Sequence, residues 1–171
     1  MRIERASYIA EVCSALIVAM TAVLALVAYL GDFETKKAEF TFQVASQYQQ
    51  AELVRTRSEL FELVANAQAT VAPARLGSLD LNTFLVKKIR ADQSLLNTVM
   101  PNVLAITGFY NAAADCTASG LCDGELLHSL MGKEASEFSC VFMGVVTEIE
   151  RATNVKNLSR GLEEISNGGC K

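Results

Sequence analysis

Histidine is nearly absent from this chain: among 171 residues there is one, His128. A catalytic imidazole needs a nucleophile and an orienting group placed around it. A single histidine beside Ser129 on a short amphipathic stretch reads instead as a solvated or packed residue. Metal and redox motifs are missing as well. Cys116 and Cys122 have five residues between them, which is not the Cys-x-x-Cys spacing of zinc or thioredoxin-like sites, and no Cys-x-x-Cys-His haem attachment occurs. There is no phosphate-cradling Walker loop and no dinucleotide fingerprint, and the glycines fall at predicted helix ends. Carboxylates do come in pairs, Glu148 with Glu150 and Glu163 with Glu164, but Arg151 and Arg160 beside them make these solvated helix faces rather than acid/base pairs. No catalytic residue, metal or cofactor is therefore expected. Basic runs are also lacking: none is longer than Lys36-Lys37 or Lys87-Lys88 on a chain of formal charge -4. Nucleic acid is excluded as a partner on that ground. No segment alternates polar and apolar residues with period two, so the fold class expected is all-α.

The stretch from Val12 to Leu30 has nineteen residues with no charge, no proline and no glycine. At about 1.5 Å per residue its length is close to the roughly 30 Å hydrocarbon thickness of a bilayer. It predicts one membrane-spanning helix, so the lipid bilayer is the first partner. A cleaved signal peptide is the competing reading, but this run exceeds the usual apolar segment of about 7 to 15 residues, and no clean small-x-small site precedes Gly31. The expected organisation is a tag and transmembrane anchor over residues 1–31 and a soluble helical domain over 32–171. Glu11 stands at the membrane boundary, where its carboxylate reaches water. Ala15 and Ala19, and likewise Thr21 and Ala25, are small residues four apart and form the candidate helix-packing face of the anchor.

Four of the five cysteines, Cys116, Cys122, Cys140 and Cys170, lie in the soluble part, with Cys13 in the anchor. They are the candidate disulfide residues. Four cysteines allow three pairings and sequence does not choose among them; buried unpaired thiols are the alternative. A Cys116–Cys122 loop would contribute about 2.4 kcal/mol on the chain-entropy model, and a Cys140–Cys170 loop about 3.7 kcal/mol. Lysine and arginine near the two ends of the anchor tie, Arg2 and Arg5 against Lys36 and Lys37. The closer spacing of the first pair favours an N-terminus inside. Oxidised cysteines agree with that, and place the soluble domain on the periplasmic or another exoplasmic side.

From Phe33 to Ala69 there is neither proline nor glycine, and Phe40, Val44, Ala51, Val54, Phe61 and Ala65 recur at helical spacings. One long helix over residues 33–69 is expected, with that stripe as domain core and a partner-binding seam as the alternative. Pro73 and Gly77 break the pattern. The next helix starts after Ser78 or Asp80 and carries Leu81, Phe84, Leu85 and Ile89; Asp92 and Ser94 are the following cap candidates. Pro101 predicts a break or kink at Met100-Pro101, before a buried helix using Val103, Leu104, Ile106, Phe109 and Tyr110. Asp123 caps a short helix ending near Gly132, with Leu126, Leu127, Leu130 and Met131 inward. Lys133-Glu134 opens another helix bearing Phe138, Val141, Phe142, Val145 and Ile149. A last short helix spans Leu158 to Ile165.

Over VLAITGFYNAAADCTASGLCDGELLHSLMGKEASEF the chain resembles an uncharacterised bacterial family of small single-pass membrane proteins with a helical soluble domain. The residues that carry the likeness are Phe109-Tyr110-Asn111, Gly120, Asp123, Leu126-Leu127 and the helix around Phe138. The resemblance implies one N-terminal membrane helix, a long amphipathic helix, a helical bundle and the bacterial inner membrane, and it supplies no activity. It also implies a cytoplasmic domain, from which the paired cysteines depart. The function expected is that of a non-enzymatic accessory subunit packed against a larger integral membrane protein complex; the alternative is a membrane-tethered sensor or signalling module.

Overall fold

The computed structural model describes residues 2–70 and 78–166, with side chains from residue 14 onward except those of 15, 67, 68, 70, 78 and 79. Among the described residues there are six helices and no strand, so the fold is all-α: a long apolar helix followed by a helical bundle. The chain divides into two compact units, Met1–Lys37 and Ala38–Lys171, a boundary somewhat later than the composition change at residue 31.

The first unit is built by helix α1, which runs over Arg2–Gln47 and continues into the second. Its segment Leu16–Gln47 is long and apolar enough to cross a membrane. Every large apolar side chain from Leu16 to Leu30 is exposed. The core helix of a soluble domain would have buried such residues. The hydroxyls of Thr21 and Thr35 donate to the carbonyls of Ile17 and Gly31 one turn back, so both are satisfied inside the helix.

The second unit contains the end of α1 and helices α2 (Ala51–Thr70), α3 (Ser78–Ala91), α4 (Gln93–Ala118), α5 (Gly124–Thr153) and α6 (Arg160–Ile165). Helix α5 packs against α3, α4 and α6, and α4 packs against α2 and α6. The core is formed by Leu60, Leu85, Ile89, Val103, Ile106, Phe138, Phe142, Val145, Ile149 and Leu162 with their neighbours. Asp92 accepts from the amides of Ser94 and Leu95 to start α4. Asp123 accepts from that of Leu126 to start α5. Asp123 was the cap expected from sequence, and Asp92 was one of two candidates beside Ser94.

Three helix boundaries differ from expectation. The helix predicted over 33–69 is interrupted at Tyr48–Gln50, where successive amides bond to carbonyls three residues back. No proline or glycine forces this. Instead, the interruption lets the Tyr48 ring enter the core against Phe109 and Tyr110. Helix α4 continues through Pro101 without a break. Pro101 and Asn97, whose carbonyl the missing amide leaves free, both lie on the exposed face, so water supplies the lost partner. Helix α5 likewise continues through Gly132, which is buried with Met131 and Ala135. Burying that face outweighs the roughly 1 kcal/mol propensity cost of one interior glycine. Leu130, expected inside, is exposed.

The core stripe expected between residues 40 and 65 also needs correction. Phe40, Ala51, Val54, Phe61 and Ala65 are exposed and Val44 half-buried. The bundle is met instead by Thr41, Tyr48, Thr56, Leu60 and Val64. Two apolar rows coexist on α2, and the bundle covers only one of them.

Candidate functional site

Cys116 stands in the last turn of α4 and Cys122 in the loop before α5. They are disulfide-bonded with Cα atoms 5.2 Å apart. Gly120 supplies the left-handed residue (φ 75°) that lets the loop reverse. The amides of Leu121 and Cys122 both donate to the carbonyl of Cys116, and the amide of Asp123 donates to the buried Thr41 hydroxyl of α1 at 2.7 Å. The loop is therefore held by a covalent bond, by its own backbone and by α1. Cys140 is a disulfide cysteine too. Cys170 lies outside the described residues.

On the anchor, Ala19, Thr21 and Ala25 are exposed, while the side chain of Ala15 lies outside the description. Regular α-helical geometry corrects the idea of a single packing face. At about 100° per residue the Ala15/Ala19 pair and the Thr21/Ala25 pair stand roughly 120° apart, as two strips.

Inside the bundle there is a polar cluster that sequence reading missed. Tyr48 is 2% exposed and Tyr110 wholly buried, with ring centroids 5.4 Å apart. The Arg57 guanidinium lies 4.1 Å from the centre of the Tyr48 ring and 3.7 Å from the Glu134 carboxylate. This cation–π arrangement shields a charge that is only 17% exposed. Burial raises the pKa of Tyr48 above its ordinary value, with a contact to Tyr110 and the Arg57 charge opposing. Burial raises that of Tyr110 much further, and the Tyr48 hydroxyl adds to the effect. The two hydroxyls interact without reaching hydrogen-bond geometry, so the Tyr110 oxygen has no hydrogen-bond partner among the described residues. Burial thus favours the neutral form of both phenols. Only the spacing of Tyr48 from Tyr110 across 62 residues hid the cluster; each residue type was plain.

His128 lines an open cleft of about 320 Å³ together with Glu125, Glu164 and Thr117. The Thr117 hydroxyl donates to the Ala113 carbonyl of its own helix. Among the described residues no group of three or more His, Cys, Asp or Glu is placed to hold a metal ion. A second surface site joins α3 to α5: Glu148 accepts from Arg90 and, at 2.8 Å, from Arg151. The Arg90 guanidinium holds the Glu148 carboxyl below the ordinary glutamate value, with burial opposing and Arg151 assisting. This arrangement braces two helices.

Comparison of the chain with protein-family models, with curated proteins and with solved structures gives no match.

Proposed function

We propose that this chain is a single-pass membrane protein of the bacterial inner membrane and that it acts as a non-enzymatic accessory subunit of a larger integral membrane complex. The observation that carries the reading is the fully exposed apolar segment of α1. In it the one hydroxyl near the middle, Thr21, is satisfied within the helix, and small residues stand four apart on two strips. Such a helix is suited to lie in lipid and to admit a close neighbour. The Cys116–Cys122 bond favours a periplasmic or other exoplasmic location for the helical domain, because cytosolic thiols are kept reduced. The bacterial setting rests on the family resemblance. The chemistry of the domain agrees with a bracing role: burial favours the neutral form of its phenols, and its strongest charge cluster, around Glu148, ties two of its own helices together.

Gentle detergent extraction of native membranes followed by native electrophoresis tests the proposal. Migration within a larger assembly, with other membrane proteins identified in the band, is expected. Migration as this chain alone, or only with copies of itself, overturns it. A second reading, a membrane-tethered sensor, is favoured by one observation, the uncovered apolar row on α2. It predicts pairing through α2 that changes when a ligand is added.

A further inference from the structure

Helix α2 shows one apolar row to the bundle and a second to solvent. The inner row, Leu60 and Val64 with Thr56, is buried. The outer row is Ala51, Val54, Ser58, Phe61 and Ala65, all exposed. Val54 is 37% exposed; Phe61 is 44% exposed although its edge meets Phe142. Spacings of three and four alternate along this outer row, the pattern of a helix–helix seam. Nothing else among the described residues covers it.

About Ser58 the row is symmetric to within one residue: Ala51 and Ala65 are each seven away, Val54 four and Phe61 three, Arg55 three and Glu62 four. Small residues stand at the centre (Ser58) and at both ends (Ala51 and Ala65), and the two large ones, Val54 and Phe61, stand between. Along one edge run Arg55 and Glu62, seven residues apart and so on the same side of the helix. Among the described residues Arg55 is held by an exposed ion pair to Glu59 on its own helix, 3.4 Å away, and such a pair is weak. If a second α2 is turned end for end about Ser58, Val54 meets Phe61 of the other copy twice. Ala51 meets Ala65 twice, and Arg55 meets Glu62 twice. In a parallel pair, by contrast, like charges stand level with like.

We propose that the outer row of α2 is a homodimer interface, formed by a second copy of this chain in antiparallel register about Ser58. The surface is small. Five residues over about 21 Å of helix cover less than the roughly 800 Å² per partner of a standard interface. Pairing is therefore weak between free domains, and depends on the high effective concentration that anchoring in one bilayer supplies. This inference does not need a larger complex, and so stands or falls separately from the accessory role.

The test is thiol crosslinking of the full-length chain in native membranes. S58C is expected to crosslink to itself. V54C copies mixed with F61C copies are expected to crosslink with each other, while V54C alone does not, because its two copies would stand about 12 Å apart along the helix. R55E is expected to weaken S58C crosslinking about tenfold, and R55E/E62R to restore it. Thermal melting of each variant checks that the bundle is intact. Self-crosslinking of V54C without the mixed product means parallel pairing and overturns the proposal. So does a crosslink from S58C to a different protein, or no crosslink in a variant that melts normally.

Discussion

Tyr110 has a fully buried hydroxyl without a hydrogen-bond partner among the described residues, which ordinarily costs stability. Its ring packs against Tyr48 and Phe109, and this contact survives removal of the oxygen. Y110F is therefore expected to leave the melting temperature unchanged or to raise it, with a gain of about 1 kcal/mol or less. A loss larger than this, seen by thermal or denaturant unfolding, means that the hydroxyl has a partner. Glu148 gives a residue-level prediction of pH dependence. Its carboxyl is held below the ordinary value by Arg90, and that of Asp92 by the Ser94 hydroxyl and amide. Groups depressed in the folded state contribute stability that is fully present above their unfolded values. That stability is lost as pH falls below about 4, through the folded values. Melting at pH 7 and pH 3 should show it, and E148Q should flatten the dependence while lowering the melting temperature at pH 7 by roughly 3 °C.

At the scale of elements, the disulfide loop between α4 and α5 is the best-fixed connection. Removing the Cys116–Cys122 bridge by C116A/C122A is expected to destabilise the domain by about 2.4 kcal/mol on the chain-entropy model, read as a lower denaturation midpoint without reductant. Peptide mapping of the unreduced protein should recover Cys116 joined to Cys122. Helices α3, α4 and α5 were largely legible in the sequence because each has one apolar row, and that row is the one buried. Leu81, Leu85 and Ile89 on α3, or Phe138, Phe142, Val145 and Ile149 on α5, fix their faces without ambiguity. The cap at Asp123 was legible from its residue type, whereas Asp92 and Ser94 are both capping types and residue type did not choose between them. Helix α2 was not, because it has two rows at helical spacing and periodicity cannot say which one the bundle takes. The interruption at Tyr48 was invisible for a related reason: it arises from packing against Phe109 and Tyr110, some sixty residues away in the chain. Local rules for proline and glycine gave breaks at Pro101 and Gly132, where the exposed face of α4 and the buried face of α5 overrule them.

For the whole molecule, the division into an apolar helical unit and a bundle was legible from composition alone, since nineteen uncharged residues leave little choice. The polar cluster of Tyr48, Tyr110, Arg57 and Glu134 was not, because it is assembled from α2, α4, α5 and the turn between α1 and α2. In that cluster the Arg57 charge is spread between the Tyr48 ring and Glu134. The proposed role puts the decisive contact on the anchor. Photo-crosslinking groups at Ala19 and at Ala25, one on each strip, test it in intact native membranes. A discrete adduct with another membrane protein is expected from at least one of the two positions. Adducts with lipid alone, or only with a second copy of the chain, from both positions would contradict it.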